Sequence, residues 1–215
     1  METRRITPAC LIAACSLILF LEAGLWLALK AWPAGKWPLL AAARILETAG
    51  CWAAAARFGG LPGFGISRRR LVPGLIHGAV WSACFALAGL AVYTGALFLG
   101  GIDLLPLARA QLPPALSERL WFLAVGGVIG PVAEEFFFRG IVYGYLRRWG
   151  TGLAVCGSTA LFVSLHSVEG LPFNQLIGAI VFALAYEKSG SLASPVVIHV
   201  TGNLAIFGIS FLISG

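Results

Sequence analysis

Charge is scarce in this chain: of 215 residues only 11% are Asp, Glu, Lys or Arg, against about 25% in an average soluble domain. Apolar side chains make up 59% of the total, and the mean hydropathy is +0.90. A water-soluble domain of this size has no use for so much apolar surface, which excludes that class. No stretch is polar enough to form a soluble lobe, and there is no internal repeat or low-complexity tract. The five cysteines, Cys10, Cys15, Cys51, Cys84 and Cys156, contain no C-x-x-C pair and lie in apolar surroundings, which reads as packing rather than disulfides or metal. The metalloprotease signature H-E-x-x-H is absent as well.

Long apolar runs are present instead. A helix needs roughly 20 apolar residues to cross a bilayer core, and seven candidate spans read as about 8–29, 38–56, 73–99, 119–146, 151–168, 174–187 and 192–213. The expected fold is all-α: a polytopic transmembrane helical bundle forming a single integral membrane domain over 1–215. The stretch from Ile102 to Glu118 carries Pro106, Pro113 and Pro114, which break any long helix, and is expected to lie along the membrane surface.

Lys and Arg set the orientation, because cytoplasmic loops are enriched in them. With the N-terminus inside, that side receives nine: Arg4, Arg5, Arg57, Arg68, Arg69, Arg70, Arg147, Arg148 and Lys188. The other side receives four, Lys30, Lys36, Arg109 and Arg119, so the bias predicts N-in, C-out. The net charge of +6 is then a matter of topology and calls for no nucleic-acid partner. Arg4-Arg5 ahead of an apolar run also fit a secretory signal, but the run continues to Leu29 without a clear cleavage site, so an uncleaved anchor is expected.

Against this background three ionisable clusters stand out in the C-terminal half. Glu134 and Glu135 fall inside the fourth span, where a carboxylate costs at least about 2.5–3.5 kcal/mol. Arg139 is four residues after Glu135 on the same helical face, the favourable order for an ion pair, while Glu134 is turned about 100° away and left free to face a cavity. His166 lies near the outer end of the fifth span. His199 and Asn203 are four apart on one face of the last span, and both can donate hydrogen bonds. Counted at 1.5 Å per residue from the cytoplasmic ends, Glu134, His166, His199 and Asn203 fall at depths of about 18, 22, 12 and 18 Å, one slab shared by three helices. A buried ion-pair network or interhelical polar contacts would use the same residue types.

The order E-E-x-x-x-R, F-x-x-x-H, H-x-x-x-N, each on its own membrane helix, resembles the CPBP family, the CAAX-protease and bacteriocin-processing proteins also called Abi. The resemblance covers roughly residues 119–210, the expected catalytic core. It implies a glutamic-type intramembrane endopeptidase: Glu134 and His166 activating water, His199 and Asn203 forming an oxyanion site, Glu135 and Arg139 in support. No cofactor or metal enters that mechanism. The implied partners are the bilayer and a membrane-associated peptide or protein, such as a prenylated tail, a leader peptide or a C-terminal sorting signal. The compact, short-looped chain suggests a bacterial inner membrane.

Other chemistries use the same residues. Ser164 and His166 point about 200° apart on a helix and cannot form a Ser-His pair, and Ser158 and Ser167 are the other serines nearby. A zinc-dependent enzyme with Glu134, His166 and His199 as a His₂Glu set is chemically possible. A proton-coupled transporter would also bury acids and histidines, but lacks paired broken helices in two related halves. A non-catalytic scaffold or immunity protein is the third class. Arg44 and Glu47, at i and i+3, are expected to pair, whereas Glu22 and His77 have no partner visible in sequence.

Overall fold

The computed structural model describes residues 6–108, 110–166 and 172–214; Arg4, Arg5, Arg109 and Ser167 lie outside the described residues. These residues form helices and their connections. α1 (Pro8–Ala31) starts on Thr7, whose hydroxyl accepts from the Cys10 amide at 3.2 Å, with Pro8 in the first turn where its missing N–H costs nothing. It stops at Trp32, ahead of Pro33. α2 (Lys36–Arg57) runs back beside it, and the single turn α3 (Leu61–Phe64) leads to α4 (Arg68–Gly100), closed by Gly101 at φ 63. α5 (Leu116–Trp149), α6 (Thr151–Ser164), α7 (Phe173–Ser189) and α8 (Ala193–Ser214) complete the chain.

Five helical segments are long and apolar enough to cross a membrane: Pro8–Ala31, Pro33–Arg57, Leu61–Gly100, Leu116–Trp149 and Ala193–Ile213. α6 and α7, with 14 and 17 residues, rise only about 21 and 25 Å. They are the short helices of a seven-helix bundle whose positions match the seven runs read from the sequence.

Pairwise contacts fix the direction of every long helix. Glu22 meets Arg44 and Leu17 meets Gly50, so α1 and α2 are antiparallel. Phe138 packs on Phe162 and Leu146 on Gly157, which makes α5 and α6 antiparallel. Phe182 stacks on His199 while Gly190 leads straight into α8, so α7 and α8 are antiparallel too. α4 and α8 are parallel: Gly74 faces Ser191, Gly78 faces Ser194 and Val197, and the Ser82 hydroxyl is 2.8 Å from that of Thr201. The helices therefore alternate, and the described cations sort by end. Arg57, Arg68, Arg69, Arg70, Arg147, Arg148 and Lys188 lie at one end, and Lys30, Lys36 and Arg119 at the other.

Two close approaches require glycine. A Cβ on Gly78 would sit 2.7 Å from the Ser194 carbonyl oxygen and 2.8 Å from Val197 Cβ, so only a bare backbone lets α4 lie against α8. Gly65 has φ 61, and its Cβ would fall 1.9 Å from the Gly190 carbonyl oxygen. Next to it, the Leu192 amide donates to Phe64 O at 2.9 Å, fastening α3 beneath the α7–α8 turn.

At the basic end Glu187 gathers the site helices. Its carboxylate accepts from Arg147 Nε and Nη2, at 2.6–3.0 Å, from the Tyr143 hydroxyl at 2.7 Å and from Thr151 at 3.4 Å, tying α5, α6 and α7 together. This bidentate pair is the strong form of a carboxylate contact.

Candidate active site

Glu134 and Glu135 owe their setting to an irregular α5. Six α-helical residues, Gly130–Glu135, lie between two wider π-helical stretches, Val125–Ile129 and Phe136–Tyr143. Such widenings turn side chains out of ordinary α register and recur at functional sites. The spacing expected for Glu135 and Arg139 survives: Arg139 Nη1 donates to Glu135 Oε1 at 3.0 Å, and both residues are fully buried.

The pair is embedded rather than isolated. Arg139 Nη2 donates to the Ala179 carbonyl of α7 at 3.0 Å, and the guanidinium lies 5.0–5.9 Å from the ring centroids of Phe138, Phe162 and Phe182. Aromatic faces and a backbone carbonyl thus share its charge with Glu135. On its other side Glu135 Oε1 is 2.8 Å from His199 Nδ1. That oxygen already accepts from Arg139, so the Nδ1–H of His199 is the donor and its Nε2 is turned to the remaining space.

Nε2 of His199 faces Glu134. Its distance to Glu134 Oε2 is 3.7 Å, and His166 Nε2 approaches the same oxygen at 3.8 Å. Both are too long for direct hydrogen bonds, and Glu134 Oε2 has no hydrogen-bond partner among the described residues. A single oxygen of Glu134 is therefore the meeting point of two imidazoles, one from α8 and one from just beyond the end of α6.

His166 reaches this position because α6 ends sooner than the sequence suggests. The helix stops at Ser164, and His166 follows it, its amide donating to Val163 O at 3.1 Å. The ring folds back: Nδ1 is 2.7 Å from the Phe162 carbonyl oxygen and the imidazole stacks on the Phe162 ring at 4.2 Å. A carbonyl can only accept, so Nδ1 carries the proton and Nε2 faces Glu134 with a lone pair when the ring is neutral. Phe162 is thus both ring platform and tautomer lock for His166, and it also meets His199 edge-on at 6.0 Å. Phe182 stacks on the opposite partner, His199, at 4.4 Å.

Asn203 sits one turn beyond His199. Its Nδ2 donates to the Gly126 carbonyl oxygen at 2.9 Å, in the first π-helical stretch of α5, where Leu204 and Phe207 also pack against Gly127 and Gly126. The amide is held in place with one N–H of Nδ2 still uncommitted.

Glu134, His166 and His199 are brought together directly, Glu135 and Arg139 stand behind His199, and Asn203 is anchored to α5 along the same face of α8. The carbonyls of Ala179, Phe162 and Gly126 and the rings of Phe162 and Phe182 complete the site. Of these only Phe162 had a sequence signal, as the first residue of F-x-x-x-H. Ser164 takes no part; its hydroxyl donates to Leu161 O at 2.9 Å. Among the described residues no group of three His, Cys, Asp or Glu side chains is arranged to hold a metal ion.

Outside the site, Arg44 pairs with Glu47 as expected, at 2.5 Å, and also with Glu22 at 2.6 Å, the partner the sequence did not reveal. His77 likewise has one: its Nδ1 is 2.8 Å from the Ser194 hydroxyl. The five cysteines are free.

No curated protein and no solved structure matches the chain. Residues 116–205 match a family model described as type II CAAX prenyl endopeptidase Rce1-like, a segment running from the first turn of α5 into the middle of α8 and holding all six candidate residues. Over that segment the chain is similar to the CAAX proteases of the CPBP family, membrane-embedded endopeptidases.

Proposed function

We propose that the enzyme is a glutamic-type intramembrane endopeptidase in which Glu134 is the general base. The observation that supports this is the convergence of His166 Nε2 and His199 Nε2 on Glu134 Oε2, at 3.8 and 3.7 Å, with both Nδ1 atoms committed elsewhere.

A water placed between Glu134 and His166 finds two acceptors, Oε2 and Nε2, and can direct one hydrogen to each. Its lone pair is then free to attack a peptide carbonyl while Glu134 takes the proton. The tetrahedral oxyanion falls to His199 and Asn203. His199 can donate from Nε2 only as imidazolium, because its Nδ1 proton is held by Glu135. Glu134 then passes its proton to the leaving amine, so no covalent intermediate forms and atoms balance with water alone.

The substrate is a membrane-associated peptide or protein; within that class we favour processing of exported or anchored proteins at a bacterial inner membrane, with the basic end of the bundle facing the cytoplasm. The test is cleavage of a library of membrane-anchored peptides, read by mass spectrometry, for wild type, Glu134→Gln and wild type with a chelator. Products from wild type with and without chelator, and none from Glu134→Gln, are expected. Loss on chelation would replace this reading with a zinc enzyme, and full activity of Glu134→Gln would remove Glu134 as base.

A further inference from the structure

α1 and α2, outside the family-matched segment, hold a charge problem of their own. Arg44 of α2 is gripped by two carboxylates, Glu47 Oε2 at 2.5 Å and Glu22 Oε1 at 2.6 Å, so with all three ionised the group carries one net negative charge. Glu47 is 3% exposed and its Oε1 has no hydrogen-bond partner among the described residues. Glu22 lies 14 residues from Pro8 and nine from Ala31, about 21 and 14 Å along the helix, well inside a core of about 30 Å. An uncompensated carboxylate at that depth is costly.

The cost has an outlet on one side only. The Glu22 side chain is 41% exposed on the outer face of α1, while Glu47 is sealed. One turn to either side of Glu22 on the same face, the exposed side chains are apolar: Leu19 and Trp26.

We infer that this face docks a transmembrane helix of another protein bearing a single Lys or Arg at mid-membrane depth, the cation completing the Glu22–Arg44–Glu47 group. A second copy of this chain does not fit. Its two mid-span cations are Arg44, already held by two carboxylates, and Arg139, which is fully buried. The partner's cation would turn a net negative triad into a neutral group of two acids and two bases, and the long, flexible Lys or Arg side chain can reach the exposed Glu22 carboxylate from a helix packed on Leu19 and Trp26.

The inference is independent of the protease chemistry and is tested without it. The full chain, donor-labelled in phosphatidylcholine vesicles, is titrated with acceptor-labelled Leu/Ala transmembrane peptides carrying either Lys or Leu at the centre. Energy transfer should show the Lys peptide associating about tenfold more tightly, and the preference should vanish in Glu22→Gln. Glu47→Gln is the second variant, since its amide oxygen still accepts from Arg44 while the surplus charge is gone; it too should lose the preference. Equal association of both peptides with wild type, or an undiminished Lys preference in both variants, would overturn the proposal and leave a proton shared between the two carboxyls as the compensating charge.

Discussion

Glu135 and His199 sit on different helices, yet Oε1 of the one lies 2.8 Å from Nδ1 of the other, and the same oxygen holds Arg139 at 3.0 Å. A carboxylate in that place fixes which imidazole nitrogen is protonated and leaves the other aimed at Glu134. Glu135→Gln keeps the volume and can still accept a hydrogen bond, but it removes the charge that supports an imidazolium. We expect kcat to fall about 10–100-fold, with KM little changed, by comparison with residues that orient ligands at other sites. A cleavage time course against substrate concentration checks this.

Glu134→Gln removes the proposed base and should lower the rate by about 10²–10⁴ while the protein still inserts and melts like wild type. The comparison of the two neighbouring glutamates is the informative one, since they differ by a single position in sequence and by the whole of their proposed role.

Arg139 separates stability from activity. Arg139→Met leaves Glu135 buried without its cation, which should cost about 3–5 kcal/mol. Glu135→Met with Arg139→Met removes both charges and should recover much of that loss, yet remain inactive because His199 has lost its partner. Thermal unfolding in detergent, alongside cleavage, distinguishes the two effects.

Asn203→Ala frees the Gly126 carbonyl and removes one candidate oxyanion donor; the expected loss is about 10²–10³ in kcat. If the carboxamide served only to tie α8 to α5, stability would fall and the rate of the surviving folded protein would not.

Outside the matched segment, Gly78→Leu should be nearly as damaging as these. Its side chain would run into Val197 and the Ser194 carbonyl at 2.7–2.8 Å, and displacing α8 by even a fraction of an ångström moves His199. Overpacking of this kind costs about 1–3 kcal/mol, visible as a lower melting temperature together with reduced cleavage.

The sequence made the helices legible because hydrocarbon length and charge scarcity act on every residue of a span at once. The Glu135–Arg139 pair was legible for the same kind of reason: spacing on one helix determines it. Less could be read where partners come from different helices. Nothing in the local pattern says that Glu22 meets Arg44, that His77 meets Ser194, or that Asn203 is committed to Gly126. The helix boundary at Ser164 was also missed, because α6 ends without a glycine or proline and His166 itself caps it by turning back onto Phe162. Of the four residues grouped by counting along the spans, Glu134, His166 and His199 meet within 3.8 Å, while Asn203, one turn further along α8, bonds to Gly126.

The α4–α8 contact has a consequence for how this sequence can change over time. Gly74 and Gly78 admit Ser191, Ser194 and Val197 with no slack, so a larger residue on either helix is tolerated only if the other shrinks in step. Among descendants of this chain, substitutions at these positions should appear as correlated pairs, one partner lying inside the family-matched segment and the other ahead of it. The family-matched segment is therefore not a portable cassette: moved onto a foreign set of leading helices, it would arrive with a surface shaped to fit glycines that are no longer there.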